Sequence, residues 1–206
     1  MCQHYAMLLE SNESLAVKLY DIGAVQFGKF KLHSGMKSPI YMDLRVLVSF
    51  PVVLRDVAQA YMRLFTALEF DILAAYPYAA LPIGTAIALE SGKPLIYPRK
   101  EVKSYGTGKM IEGVWNVGQR ALLIEDLVTS GASIIQAFAT LKAVGIQVNE
   151  ALVLIDREQG GADLLQAQGY KLHSVMTLSE MLSVLEQQDR IDNRQRSQVL
   201  NWINKA

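Results

Sequence analysis

The sequence predicts an α/β fold, with a doubly wound, mainly parallel sheet, flanking helices and a small N-terminal hood subdomain. Three observations predict it. The chain has 206 residues, about the length of one domain with a small appendage. Hydrophobic residues make up 51% and charged residues 19%, which provides enough apolar material for a sizeable core. From residue 71 onward, apolar runs typical of strands alternate with helical patterns, as in sheets covered on both faces.

The pattern of the N-terminal residues predicts a helix and two short strands, which together form the hood. Leucines recur at roughly helical spacing over 5–21, and a glycine follows the last of them. Two short extended segments, 30–33 and 39–44, are punctuated by glycines and predict antiparallel strands. We therefore assign 1–48 to the hood within a single domain, 1–206. A further helix begins at Pro51, because proline is favoured in the first helical turn.

The rest of the chain predicts the alternating part of the fold. The predicted strands are 72–75, 94–97, 121–126, 148–155 and 172–177. The predicted helices are 79–90, 134–144, 162–168, 178–187 and 195–203. A polar loop is expected at 99–110, and a solvated polar connector at 187–196. Ligands bind beyond the carboxyl ends of strands in such sheets, so functional residues are expected just after each strand.

The composition excludes several functional classes. The 20 basic and 20 acidic residues balance, whereas nucleic-acid binders show a basic excess or stripe. The single cysteine, Cys2, cannot form an internal disulfide. No apolar run approaches the roughly 18 residues of a membrane span, and residues 1–10 lack the pattern of a secretory signal. We expect a soluble, cytoplasmic protein without nucleic-acid or membrane partners.

The strongest functional signal follows the predicted strand 121–126. Glu125 and Asp126 come at its end, and the small and hydroxylated residues 129–133 turn directly into a helix. Such a turn brings backbone N–H groups and a helix dipole close to an oxyanion. The acids would repel a phosphate unless they served sugar hydroxyls or a hydrated Mg²⁺. The pattern suits a ribose 5-phosphate site, although an acidic strand end before a Ser/Thr-capped helix is the simpler alternative.

This segment resembles the phosphoribosyl-diphosphate (PRPP) motif of type I phosphoribosyltransferases. Two further blocks narrow the resemblance to the orotate phosphoribosyltransferase family. Residues 31–45 are similar to its N-terminal signature and residues 99–113 to its mobile catalytic loop, while 156–161 and 172–175 fit the same pattern. The likeness runs from about residue 19 to residue 187. It is closest to the animal form, in which the transferase is fused to a decarboxylase.

The resemblance implies a type I phosphoribosyltransferase fold and a specific reaction. The enzyme would transfer the 5-phosphoribosyl group from PRPP to orotate, giving orotidine 5′-monophosphate and diphosphate in pyrimidine biosynthesis. The cofactor would be Mg²⁺, held mainly by PRPP and water with no direct ligand from the protein. A homodimer with shared active sites is implied, as is a decarboxylase domain or partner.

The resemblance also implies roles for individual residues. The candidate catalytic residues are Lys103, which would stabilise the departing diphosphate, and Asp126, which would hold ribose hydroxyls. The candidate PRPP-binding residues are His33, Tyr78, Arg99, Lys100, Lys103, Tyr105, Glu125, Asp126, Leu127, Val128, Thr129, Ser130, Gly131, Ala132 and Ser133. The candidate orotate-binding residues are Tyr41, Met42, Thr129 and Arg157.

Simpler interpretations remain open for several of these residues. The four cations of 99–113 suit a lid that closes on an anion, but a lysine-rich surface loop has the same composition. Arg157 follows a strand and suits a planar carboxylate, but it can also pair with a neighbouring acid. Tyr41 and Met42 can serve core packing alone. Asp43 and Arg45 are predicted to be structural partners.

Four positions depart from the family pattern. Ala75 stands where glycine is usual, and its β-carbon is expected to disturb a turn that needs unusual backbone angles. His33, Ala79 and Pro98 each replace a positively charged residue found in at least part of the family. These three changes are expected to affect PRPP affinity more than the reaction type. A purine transferase and a PRPP-binding regulator without turnover are the alternative functions.

Overall fold

The structure is a computed structural model that describes residues 2–31, 35–99 and 110–204, with backbone alone for 2–11. The helices are α1 (Cys2–Asp21), α2 (Pro51–Arg63), α3 (Ala80–Ser91), α4 (Ala132–Ala143), α5 (Gly161–Ala167), α6 (Leu178–Gln187) and α7 (Asn193–Ile203). The strands are β1 (Val25–Lys31), β2 (Lys37–Met42), β3 (Ile72–Ala75), β4 (Leu95–Pro98), β5 (Ile111–Glu112), β6 (Arg120–Val128), β7 (Gln147–Asp156) and β8 (Lys171–Thr177). None of the described helices is both long and apolar enough to cross a bilayer.

The main sheet has six strands in the order β5-β4-β3-β6-β7-β8. Every neighbouring pair is parallel except β4 and β5, which is antiparallel. The chain builds outward from β3 to β4 on one side and from β6 to β8 on the other. The sheet therefore has its topological switch point between β3 and β6, where such folds form a crevice. This confirms the predicted doubly wound, mainly parallel sheet.

Side chains alternate along the strands and form a core on each face of the sheet. Leu122 and Ile124 belong to the core that includes residues of α1, α2, α3, α6 and α7. Leu123 and Val153 belong to the core beneath α4 and α5. Strands buried on both faces need continuous apolar runs, which is the pattern that predicted them.

The predicted antiparallel strand pair of the hood is present, but its first strand was misplaced. β1 begins at Val25 rather than at residue 30 and runs through Gly28. Gly28 lies where the register with β2 shifts, between Phe27 and Phe30. A glycine at a bulge therefore looked like a break between segments in the sequence.

Two further boundaries were wrong. β6 continues past residue 126, because Leu127 and Val128 pair with β7. The two acids therefore lie inside the strand, two residues before its end, and are not its last residues. The predicted connector 187–196 is not uniformly solvated, since Ile191 is only 5% exposed and α7 already begins at Asn193.

Candidate active site

A cavity of about 450 Å³ lies at the carboxyl edge of β3 and β6. It is formed by the segment that follows β2, the turn after β3, and the end of β6 with the turn that follows it. Its lining residues are Met42, Asp43, Leu44, Arg45, Tyr76, Pro77, Tyr78, Ala79, Glu125, Asp126, Leu127, Thr129, Ser130, Gly131 and Ser133. The two predicted acids, residues of the predicted turn 129–133 and two of the four predicted orotate-binding residues, Met42 and Thr129, therefore line the same cavity.

Hydrogen bonds to and from the main chain position the segment that carries Glu125 and Asp126. Glu125 is 5% exposed, and its Oε1 accepts a hydrogen bond of 3.1 Å from the Asp126 N–H. The fully buried Tyr61 of α2 donates its hydroxyl to the Glu125 carbonyl oxygen at 2.7 Å. Burial, and then the negative charges of Asp126 and Glu125, raise the pKa of Tyr61, so its hydroxyl stays protonated as a donor. Tyr61 was not predicted as a functional residue, because its helical spacing indicated only core packing.

The turn after β6 leads into a helix that no side chain caps. Gly131 is the N-cap of α4, with φ +78°, and the first turn of the helix receives no side-chain cap hydrogen bond. The alternative of a Ser/Thr-capped helix is therefore wrong. Because the first N–H groups of a helix need partners and carry a partial positive charge, this end of α4 suits an anion.

The turn that leads into α5 packs against the turn that leads into α4 and holds it in place. A β-carbon on Gly161, at the start of α5, would lie 2.6 Å from the Thr129 carbonyl oxygen and 2.6 Å from Val128 Cγ2. A β-carbon on Gly131 would lie 3.2 Å from the Gly161 carbonyl oxygen. The two turns thus pack backbone against backbone, which only small residues allow.

The turn after β3 presents another helix end to the same cavity. Ala79 is the N-cap of α3, and that helix likewise receives no side-chain cap hydrogen bond. Tyr78 is 64% exposed at the cavity, and the Pro77–Tyr78 peptide bond is cis. Two helix N-termini without side-chain caps therefore meet the cavity that contains the acids.

The expectation that Ala75 disturbs this turn is wrong. Ala75 lies in β3 in register with Ile124 and is completely buried. Its methyl group fits because Gly84 of α3 packs against it, where a β-carbon would come within 2.8 Å of Ala75 Cβ. Ala75 and Gly84 are therefore complementary in volume across the strand–helix contact.

Arg157 lies apart from the lining of this cavity. Its backbone N–H donates to the Val128 carbonyl oxygen at 3.0 Å. Its side chain is buried at 9% exposure, and its Nε–H donates no hydrogen bond to any described residue. No ion pair joins it to an acid among the described residues, and Asp156 instead accepts from the Glu158 N–H. The alternative of a local ion pair is therefore wrong. Burial lowers the pKa of the Arg157 guanidinium from its usual value.

Asp43 and Arg45 of the hood form a charged rim of the cavity, beside Met42 and Tyr41. Met42 lines the cavity and also packs against the core, while Tyr41 lies against Phe30 with ring centroids 5.4 Å apart. Arg45 binds Asp43 through two hydrogen bonds of 2.7 and 2.9 Å, as their predicted structural pairing requires. That hydrogen bonding lowers the pKa of the Asp43 carboxyl.

The predicted loop is described only at its ends. Arg99 forms an ion pair of 3.2 Å with Glu112 of β5 and does not line the cavity. The short strand β5 was missed, because two residues are too few to show alternation. The predicted residues His33, Lys100, Lys103 and Tyr105 lie outside the described residues.

Searches against known proteins give a consistent result, although no family model matches the chain. It is 44% identical over 192 residues to uridine 5′-monophosphate synthase of Bos taurus, which covers 92% of this chain and 40% of that protein. It is 40% identical over 171 residues to orotate phosphoribosyltransferase of Chlamydia caviae, which covers 82% of this chain and 83% of the relative. The chain thus spans well under half of the bovine relative.

Solved structures agree with the sequence comparisons. The structure of Leishmania donovani UMP synthase matches with a TM-score of 0.87 at 38% identity, covering 94% of this chain and 42% of that one. Orotate phosphoribosyltransferase of Mycobacterium tuberculosis, solved in complex with PRPP, matches with a TM-score of 0.70 at 26% identity. That match covers 83% of this chain and 98% of the mycobacterial chain.

Proposed function

The chain belongs to the orotate phosphoribosyltransferase family, and we propose that it transfers the 5-phosphoribosyl group of PRPP to orotate. The products are orotidine 5′-monophosphate and diphosphate. One observation carries the proposal: Glu125 and Asp126 share a cavity with two helix N-termini that lack side-chain caps. Acids for hydroxyl groups and N–H groups for phosphates are the two recognition elements that PRPP requires.

Each part of PRPP has a candidate partner. The turn Leu127–Ser133 and the N-terminus of α4 bind the 5′-phosphate, and Glu125 with Asp126 accepts hydrogen bonds from the ribose hydroxyls. Tyr78 and the N-terminus of α3 face the diphosphate. By family resemblance, the diphosphate also contacts His33, Arg99, Lys100, Lys103 and Tyr105.

The two carboxylates fit Mg²⁺ bound through the substrate. Mg²⁺ prefers oxygen ligands and keeps several waters, so it needs only one or two protein carboxylates nearby. Among the described residues, no group of three or more His, Cys, Asp or Glu side chains converges on one point. Glu125 and Asp126 would hold the hydrated ion beside PRPP. When bound, Mg²⁺ neutralises charge on the diphosphate.

The protein contributes mainly position and charge to the reaction. The N1 nitrogen of orotate attacks C1′ of the ribose as diphosphate leaves, so positive charge develops on the sugar. The carboxylates of Glu125 and Asp126 stabilise that charge, and the Lys103 ammonium stabilises the departing diphosphate. The nucleophile is the substrate's own ring nitrogen, so the chain needs no nucleophilic side chain.

Arg157 supplies selectivity for orotate over other bases. Its buried guanidinium has no acid partner among the described residues, and a carboxylate of the ligand supplies the missing negative charge. Tyr41, Met42 and Thr129 complete the proposed base site. Uracil lacks this carboxylate and is expected to be a poor substrate.

The proposed assembly rests on the family. We expect a cytoplasmic homodimer with shared active sites and a decarboxylase as an attached domain or partner. The bovine relative, which is longer than this chain, is consistent with an attached domain.

The test follows orotate absorbance with purified protein, PRPP and Mg²⁺. We expect loss of orotate that requires all components, with Lys103→Ala lowering kcat about 100-fold or more. Uracil and adenine replace orotate in parallel reactions and are expected to remain unchanged. Adenine turnover would indicate the purine transferase, and PRPP binding without any base turnover would indicate the regulator.

A further inference from the structure

The aromatic ring of Trp202 lies beside the buried guanidinium of Arg157. The Arg157 Cζ lies 5.5 Å from the centroid of the Trp202 indole, over the face of the ring. Arg157 follows β7 and Trp202 lies near the end of α7, so 45 positions of sequence separate them. An aromatic face attracts a guanidinium and leaves the N–H groups in the guanidinium plane available to a planar anion.

Helix α7 is held firmly enough to position that ring. Asp192 and Gln195 form a complete capping box at its start, and Val199 in its middle is completely buried. Glu186 of α6 accepts a hydrogen bond of 3.1 Å from Asn193 and lies 3.4 Å from Arg196. These contacts fix α7 without using Trp202.

Trp202 also borders open space. It lines a cavity of about 520 Å³ between α7 and the hood, together with Lys29, Lys37 and Ser38. Because Trp202 contacts both Arg157 and this cavity, a smaller side chain would widen the cavity toward the guanidinium and admit water. Hydration of the guanidinium would weaken its attraction for a carboxylate.

We propose that Trp202 is a positioning residue for the base substrate: its indole holds the Arg157 guanidinium in the orientation that binds the orotate carboxylate. The inference rests on the proposed function, since it assigns orotate to Arg157. It predicts that α7 controls affinity for the base and leaves PRPP binding at the cavity of Glu125 and Asp126 unchanged.

The test compares Trp202→Leu with Trp202→Phe, which keeps an aromatic face. We expect Trp202→Leu to raise both the KM and the calorimetric Kd of orotate about tenfold, the scale of a desolvated cation–π contact. Its kcat and its KM for PRPP should stay within about twofold, as expected away from the PRPP site. Trp202→Phe should recover most of the affinity.

Val199→Ala is the matched control, because it weakens the packing of α7 without removing the ring. We expect it to lower the melting temperature and leave the Kd of orotate unchanged. An unchanged orotate Kd in Trp202→Leu, or an equal rise in Val199→Ala, would overturn the inference while orotate turnover by the wild type still supported the proposed function. Absence of wild-type turnover overturns the proposed function, whatever the two Kd values are.

Discussion

Two pairs of helices in the described part of the chain treat their first N–H groups in opposite ways. At α6, Thr177 accepts from the Glu180 N–H at 3.1 Å, and Glu180 accepts from the Thr177 N–H at 2.7 Å. At α7, Asp192 and Gln195 exchange the same pair of bonds at 2.7 and 3.0 Å. At α3 and α4 the N-caps are Ala79 and Gly131, and neither helix has a side-chain cap.

The difference separates α6 and α7 from α3 and α4, the two helices that face the site. Every helix must find partners for its first N–H groups, and a capping box supplies them from within the chain. Helices α2 and α5 also lack a side-chain cap, but of the four described helices without one, α3 and α4 are the two whose N-termini reach the cavity of Glu125 and Asp126. At α3 and α4 we expect the bound ligand to supply partners for the first N–H groups.

The largest expected effect comes from Gly161→Ala. The added methyl group would lie 2.6 Å from the Thr129 carbonyl oxygen, so the turn that leads into α4 must move. We expect kcat/KM for PRPP to fall about 100-fold and stability to fall by about 1–3 kcal/mol through overpacking. Steady-state kinetics and urea denaturation measure the two effects.

Gly169→Ala is the control for that substitution. Gly169 has φ +77°, but no atom of the described residues lies within 4 Å of the position of its β-carbon. It should cost about 1 kcal/mol of stability through backbone strain and leave PRPP kinetics unchanged. Equal kinetic losses in both variants would show that the interlocked turns have no special role.

The next largest effect is expected from removing the hydrogen bond that Tyr61 donates to the Glu125 carbonyl oxygen. Tyr61→Phe removes the hydroxyl that donates to the Glu125 carbonyl and leaves a buried acceptor without its partner. We expect a loss of about 1–3 kcal/mol of stability, together with a several-fold fall in kcat/KM for PRPP. Tyr97→Phe, at a partly exposed position in β4, is the control and should change neither. A loss of stability without a kinetic change would limit Tyr61 to core packing.

A smaller and purely structural effect is expected at α6, one of the two helices that begin with a capping box. Thr177→Ala removes the α6 cap and should lower the free energy of unfolding by about 1 kcal/mol. Thr177→Ser keeps the acceptor oxygen and should restore most of it. Since α6 does not contribute to the cavity, both KM values should stay at the wild-type level; a changed KM for PRPP would remove the distinction between the two pairs of helices.

The smallest effect concerns the rim pair of Asp43 and Arg45. Hydrogen bonding from Arg45 lowers the pKa of Asp43, so this pair stabilises the fold above the unfolded pKa of about 3.9. That contribution disappears as the pH falls through the lower folded pKa. Asp43→Asn should cost about 0.5 kcal/mol or less near pH 7, because solvent screens the pair. The difference should vanish in strong acid, and a difference that persists there would contradict the pairing.

The sequence predicted the alternating sheet and the two acids, because apolar runs and acid–turn patterns are local. It placed Glu125 and Asp126 at the end of their strand, since nothing local reveals that Leu127 continues the pairing with β7. The sequence also did not predict the fit of Ala75 against Gly84 or the stacking of Trp202 on Arg157. Both depend on elements that meet only in the folded chain.

The first measurement to make is calorimetric titration of wild type, Gly161→Ala and Thr177→Ala with PRPP in the presence of Mg²⁺. It tests whether the turn that leads into α4 binds PRPP. We expect one PRPP to bind per chain in wild type and in Thr177→Ala, with Kd values within about twofold of each other. Binding by Gly161→Ala should be weakened about 100-fold, in line with a displaced phosphate-binding turn. Wild-type protein that fails to bind PRPP, or Gly161→Ala protein that binds it normally, would contradict the account.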